Sequence, residues 1–480
     1  MATQTVRAVD HKLLAAGDWV ETGDWDEVLS PYDGIVVGRV ARGDAALVDR
    51  AAKAAQNAFE AGFPQYERAA VLERAAELVR ERRDDLAVTI AAEAGKPLKT
   101  ARLEAERCVD TLTFSAIEAR KLSGATVPME ASAAGAGKLG VMLRVPYGVV
   151  GAISPFNFPL NLVAHKLGPA IAAGNAVVLK PAGQTPISAL KLAAVLVEAG
   201  LPDGWLSVIP GPGSEVGNAI VEHELTRALT FTGSSKVGWG IRSRVPHKKV
   251  NLELGSNAPL IVHADGDWET AADKAKLHAF SHAGQSCISI QRVLVHEEIA
   301  DAFVERLVAN AGALRVGDPL DPETDVGPLI SAGDRDRVKR WVEEAVAAGA
   351  ELLTGGELVD DGRCLAPTLL GSPPREARVW CEEVFGPVAT IDRYRDFGEA
   401  LRLANDSKFG LQAGVFTRDV GRGLQAASRL EFGGVLINEV PTFRADQMPY
   451  GGVKDSGNTR EGPAYAVREL TERRVVVIDL

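Results

Sequence analysis

The 480-residue chain is poor in the features that mark secreted, zinc-bound or membrane-embedded proteins. Its four cysteines, Cys108, Cys287, Cys364 and Cys381, form no CxxC and no Cys/His ligand spacing, which argues against a disulfide framework and a zinc site. The first twenty residues carry Asp10, His11, Lys12 and Asp18 and lack the apolar core of an export signal, so a cytoplasmic protein is expected. The longest uncharged run, residues 145–164, is long enough to span a bilayer, but its three Pro, two Gly and two Asn argue against a membrane helix. Positive charge is not in excess: 53 Lys and Arg face 64 Asp and Glu, interspersed, for a net charge of −11. That balance speaks against a nucleic-acid or anionic-membrane surface. There is no internal repeat and no low-complexity segment.

What the chain does have is apolar content, 46% of residues, enough to bury the cores of about three domains. Residues 45–61 and 67–96 repeat apolar positions at three and four, so the first third reads as largely helical, the second stretch stopping at Gly95 and Pro97. From 149 the pattern changes to short β-branched runs, VVGAIS, AVVLK, LSVIPG and ALTFTG, separated by helical stretches. Such alternation predicts parallel strands with crossover helices, a doubly wound α/β sheet. A second α/β series follows 253, with RVLVH, two helices, LAPTLL and PVATI. Residues 124–145 and the terminal RRVVVIDL read as strands outside both cores, pairing with each other or with a neighbouring subunit and covering exposed edges.

Cysteine is the strongest common side-chain nucleophile once its thiolate is favoured. Most intracellular cysteines are small buried hydrophobes, and Cys108, Cys364 and Cys381 read that way. Cys287 differs, because Gly284, Gln285 and Ser286 leave its backbone sterically open and its N–H free to face an oxyanion. A cysteine hydrolase would need a histidine; His282 is the nearest, but five positions of separation fix no geometry. Glu253, in NLELGSN, stands among apolar residues before a Gly turn, where a carboxylate with a raised pKa suits general-base work. The plain alternative is a solvated strand-end carboxylate. Asn157, in ISPFNFPLN, is held by two prolines and presents an amide as an oxyanion hole requires; a simple turn asparagine is the alternative. In FTGSSKVG a strand runs into two glycines and a helix start that suits a pyrophosphate, although the spacing is not GxGxxG.

PFNFP, LKPAGQTP, FTGSSKVG, NLELGSN, GQSC, EEVFGP and PYGGVKDSG occur in an order and spacing that resemble the aldehyde dehydrogenase superfamily over nearly the whole chain. The resemblance implies an α/β fold of two doubly wound domains, an atypical Rossmann cofactor domain (1–122 and 146–252) and a catalytic domain (253–455). A small β oligomerisation element (123–145 and 462–480) would join homodimers or homotetramers. It implies Cys287 as nucleophile, Asn157 and the Cys287 N–H as oxyanion hole, and Glu253 as the base that hydrolyses a thioester with water. Relatives that release their acyl group to coenzyme A lack this glutamate. No metal is implied.

For an NAD or NADP cofactor, the resemblance implies Lys180 and Glu383 at the riboses, Phe385 near the nicotinamide ribose and Ser234 at the pyrophosphate, with Ser154 and Phe156 alongside. Gly233, Gly238 and Gly255 match positions where a side chain would collide. Phe156 replaces a tryptophan common in relatives and removes an indole N–H. Gly183 stands where many NAD-preferring relatives carry a glutamate, which removes a penalty against the 2′-phosphate of NADP. CISIQR and NEVPTFRADQMPYGG resemble the branch of lactaldehyde and non-phosphorylating glyceraldehyde-3-phosphate dehydrogenases. Arg444 and Arg107 are candidate contacts to a phosphate, carboxylate or sulfonate, each weighed against a structural ion pair. Arg292, about 16 Å along a strand from Cys287, is a poorer candidate. A cofactor-independent cysteine hydrolase and a structural protein on an inherited dehydrogenase scaffold are the alternatives.

Overall fold

The computed structural model describes residues 8–480. Two seven-stranded sheets carry the molecule. In the first, strands Lys249–Glu253, Thr226–Thr232, Val149–Ile153, Ala176–Lys180 and Leu206–Val208 lie side by side and parallel, extended by the antiparallel pair Leu13–Ala15 and Asp18–Val20. Buried on both faces, these parallel strands are almost continuously apolar, as in Val149–Ile153 and Ala176–Lys180. Chain order reverses between Val149–Ile153 and Thr226–Thr232, and a doubly wound sheet opens a crevice at the carboxyl ends of the strands flanking such a switch.

The second sheet runs Glu351–Thr354, Thr368–Gly371, Val388–Tyr394, Arg292–His296, Pro259–Val262, Gln412–Phe416 and Gly434–Ile437, parallel except at its first edge strand. Outside both, Lys138–Pro146 pairs antiparallel with Ala125–Val127 and, over nine residues, with Thr471–Asp479. Both segments assigned outside the cores therefore meet in one three-stranded arm, whose Val475, Val477 and Ile478 are exposed.

Three features differ from the sequence reading. The described residues do not open on a helix: five short strands lie between Val9 and Ala41, two of them completing the first sheet, and runs of three to six residues are too brief to show a period. The helix expected over 67–96 is two helices, Gln65–Glu81 and Arg83–Ala94, broken at Arg82. Gly95 then ends the second with a left-handed φ of 66°. Residues 462–470 are not part of the arm, because helix Pro463–Glu469 buries Val467, followed by Leu470, in the core of the first domain. The arm's last strand starts at Thr471.

Candidate active site

The carboxyl ends of the first sheet's strands carry most of the candidate residues. Glu253 ends Lys249–Glu253, Lys180 ends Ala176–Lys180, Ser154 follows Val149–Ile153, and Ser234 precedes helix Ser235–Arg244. Cys287 comes from the second domain, on the connection between helix Trp268–Phe280 and strand Arg292–His296. That connection turns through three left-handed residues, His282, Ala283 and Gly284. At Gly284 glycine is required twice over, since φ is 68° and a Cβ would stand 2.0 Å from the Gly386 carbonyl oxygen.

The turn delivers Cys287 half-buried, with its Sγ 2.9 Å from the Tyr450 hydroxyl. The protein packed around the thiol pushes its pKa up to about 12, opposed chiefly by the Tyr450 hydrogen bond and by Arg444. Among the described residues nothing accepts the Cys287 N–H. Asn157 is buried; its Nδ2 donates to the Gln285 carbonyl at 2.9 Å and its Oδ1 has no partner. Gln285 is itself fixed, donating to the His282 carbonyl and accepting from the Ile330 N–H. Glu253 is buried with neither oxygen bonded, and burial first, then the Glu461 carboxylate, holds its pKa well above the carboxylate range. A Cβ on Gly451, next to Tyr450, would lie 2.6 Å from Glu253 Oε1, so thiol and carboxyl meet around one turn. His282 makes no bond to Cys287; its ring packs edge-on against Phe158 and burial lowers its pKa far below the usual value.

Behind the cysteine lies a buried charge network. Arg444 Nη2 donates to Glu461 at 2.9 Å, its guanidinium stacks 3.8 Å over the Tyr450 ring, and its Nε is buried without an acceptor. Lys166 Nζ is 3.7 Å from Glu461 and donates to Thr232 Oγ1 at 2.6 Å. Arg107 clasps Asp446 through Nε and Nη2 at 3.0 and 2.9 Å, and Asp446 also bonds His165 and Asn161. Despite the burial that raises it, these partners hold Asp446 far below the usual carboxylate range. The structural ion pair weighed for both arginines is thus present at each. Arg292 is wholly buried and donates to the carbonyls of Asn257, Leu403 and Ala404, a structural role. Tyr450, Gln285, Glu461, Lys166, Asp446 and His165 escaped sequence reasoning. Tyr450 and Asp446 stand in NEVPTFRADQMPYGG and Gln285 in GQSC, which marked their neighbourhoods without their chemistry, and Glu461, Lys166 and His165 carry no local signal.

On the cofactor side, Ser234 and Glu383 line one cavity of about 550 Å³ together with Lys408 and Asp455. Ser154 Oγ is buried without a partner, and Lys180 Nζ meets only the Pro181 carbonyl, its pKa lowered by burial to about 8. Burial raises Glu383 to about 7, and its one backbone partner is the Ser256 N–H at 2.9 Å. Donors and an acceptor left this open fit the phosphates and ribose hydroxyls of a dinucleotide. Phe156 and Phe385 pack edge-to-face at 5.8 Å, Phe385 with a left-handed φ of 49°. The glycines are crowded by the protein itself: a Cβ at Gly255 would stand 2.2 Å from Glu383, at Gly238 2.5 Å from Leu254 and at Gly233 2.7 Å from Phe231, so a side chain at any of them would displace a neighbouring side chain. Gly183 has nothing within 4 Å.

A thiol, an amide and a desolvated carboxyl thus gather at the carboxyl ends of a doubly wound sheet, the place where such sheets bind ligands. The chain belongs to the aldehyde dehydrogenase family, whose profile matches residues 19–476, and it is an aldehyde-oxidising enzyme that uses NAD or NADP. It is 44% identical over 478 residues to a 3-sulfolactaldehyde dehydrogenase of Priestia megaterium, covering all of both chains. Among solved structures it resembles aldehyde dehydrogenase 21 of Physcomitrella patens in complex with the reaction product succinate (39% identity, 99% of each chain, TM-score 0.96). It also resembles the glyceraldehyde-3-phosphate dehydrogenase GapN of Methanocaldococcus jannaschii complexed with NADP (38% identity, 95% of this chain and 100% of that one, TM-score 0.91). These relatives fit the branch that CISIQR and the PYGG segment pointed to.

Proposed function

We propose that the protein oxidises a small polar or anionic aldehyde to its carboxylic acid through an adduct on Cys287. The Cys287 thiolate attacks the carbonyl carbon, and the oxyanion of the thiohemiacetal is held by the free N–H of the Asn157 amide and by the Cys287 backbone N–H. NAD or NADP, when bound, would supply the hydride acceptor that oxidation of the adduct to a thioester requires. Glu253 then draws a proton from water as its oxygen attacks the thioester carbon; the C–S bond breaks and Cys287 is restored. Ser154, Lys180, Ser234 and Glu383 would hold the dinucleotide, with the packed pair Phe156 and Phe385 as an aromatic wall beside it. The arm 471–479 with 125–146 contacts a second subunit in a homodimer or homotetramer.

One observation carries this reading: Asn157 Oδ1, both Glu253 oxygens and Arg444 Nε are buried and unpartnered around the same cysteine. Buried polar atoms rarely lack partners, and water and an aldehyde with a charged tail would satisfy all four. An anionic tail is supported by the Arg444 Nε and by the Nη1 of the partly exposed Arg107, neither of which the carboxylates use. Sulfolactaldehyde, succinate and glyceraldehyde 3-phosphate, named with the relatives, are likewise anions. The test is a panel of sulfonated, phosphorylated, carboxylated and neutral aldehydes with each dinucleotide. Arg107→Ala is expected to raise KM for the anionic members about 10- to 100-fold, as loss of a charge-assisted hydrogen bond does, and to spare the neutral ones. Equal losses on both would dismiss the anion site.

A further inference from the structure

A thiol packed largely in protein needs something to hold its anion, and no histidine bonds Cys287. The groups that face it are Tyr450, Glu383, Arg444 and Glu253. Two are carboxyls, which oppose ionisation. Of the four, Tyr450 alone is hydrogen-bonded to the sulfur, at 2.9 Å. We propose that Tyr450 is a further catalytic residue, whose hydroxyl donates a hydrogen bond to the Cys287 thiolate and keeps it reactive. This inference rests on the assignment of Cys287 as nucleophile.

The geometry gives the bond its direction. Tyr450 is 3% exposed, and burial first, then the Cys287 charge, keeps its phenol protonated well above the usual range. It therefore remains a donor while the sulfur loses its proton. Arg444 lies face-on to the ring with its guanidinium 3.8 Å from the centroid, and a cation over the π-face draws electron density from the phenol, which strengthens its O–H as a donor. Glu461 holds that cation in place through a bond of 2.9 Å. The backbone is fixed as well, because the Tyr450 N–H donates to the Glu461 carbonyl at 3.1 Å and the Glu461 N–H returns a bond at 2.6 Å. The oxyanion donors approach from the Asn157 side through Gln285. Tyr450 thus acts on the sulfur and Asn157 on the oxygen, so the two contributions separate experimentally.

The experiment is the pH dependence of Cys287 alkylation by iodoacetamide in the cofactor-free enzyme, read peptide by peptide so that the partly exposed Cys381 does not interfere. In Tyr450→Phe the midpoint is expected to rise by about one pH unit, with alkylation near neutrality about tenfold slower, the effect of removing a hydrogen bond to a charged group. Tyrosine fluorinated beside its hydroxyl at position 450 keeps the shape and acidifies the phenol, and is expected to move the midpoint down. It also serves if the Phe variant folds poorly. A midpoint unmoved in either variant overturns the proposal. Alkylation of Cys287 that leaves aldehyde oxidation intact would instead overturn the assignment of Cys287, on which it rests.

Discussion

Replacing Glu104 with glutamine should weaken the protein in a way that depends on pH. Glu104 lies on helix Leu98–Lys121, where its Oε1 accepts from the N–H groups of Leu160 and Asn161 at 3.0 and 3.1 Å and its Oε2 pairs with Lys96. Both side chains are at most 1% exposed, and Lys96 Nζ also lies 3.6 Å from the Phe158 ring centroid. One carboxylate thereby clamps the segment that begins with Asn157. Glutamine keeps the acceptor for the two N–H groups but leaves Lys96 a buried cation without a counter-charge, which costs about 3–5 kcal/mol. Lys96 has one escape. Burial already lowers its pKa and the Glu104 charge is the main force opposing that, so without the charge it sheds its proton.

At pH 7 that route costs about 4.6 kcal/mol, from an unfolded pKa of about 10.4 at about 1.36 kcal/mol per unit, which sets a ceiling on the loss. The sign follows: with Lys96 neutral in the fold and protonated when unfolded, the unfolded state binds the extra proton, so the variant gains stability as pH rises. Denaturant titrations of wild type and Glu104→Gln at pH 7 and pH 9 should show a deficit of up to about 4.6 kcal/mol at pH 7, shrinking by about 1.4 kcal/mol per pH unit. A deficit that is absent, or equal at both pH values, refutes the reasoning.

Gly183→Glu should fold normally, since a Cβ there meets nothing within 4 Å, and should lower kcat/KM with NADP about 10- to 100-fold relative to NAD by setting a carboxylate against the 2′-phosphate. Steady-state kinetics with both dinucleotides decide it; an unchanged ratio would place the 2′-phosphate away from Gly183. Acyl-enzyme hydrolysis should quicken as pH rises beyond the ordinary carboxylate range, because Glu253, held above that range by burial and by Glu461, accepts a proton only once ionised. Glu253→Gln should flatten that profile and slow turnover about 10²- to 10⁴-fold while sparing the first burst of reduced cofactor. A flat wild-type profile would remove Glu253 as the base.

Much of this was legible along the chain because it is written locally. Val149–Ile153 and Ala176–Lys180 announce themselves as β-branched runs between helical stretches, and Cys287, Glu253 and Asn157 each stand among residues that open or stiffen the backbone. The short strands before Ala41 were missed because three residues show no period. The partners of the site were missed for a different reason. Tyr450 is 163 positions from Cys287, Gln285 is 128 from Asn157, and Glu104 is 56 from Leu160, so their roles exist only once the two sheets face each other. The arginines show the same limit: sequence weighed an anion contact against a structural ion pair at Arg107 and Arg444 but could not name the partners, and Asp446 and Glu461 occupy part of each guanidinium.

The covalent role of Cys287 is tested most directly by quenching Glu253→Gln during aldehyde oxidation and weighing the peptide that contains Cys287. The account predicts that this peptide carries the acyl group of the aldehyde, close to one per subunit, and that no other cysteine does. An unmodified Cys287 peptide in an enzyme that has already reduced its cofactor would contradict it.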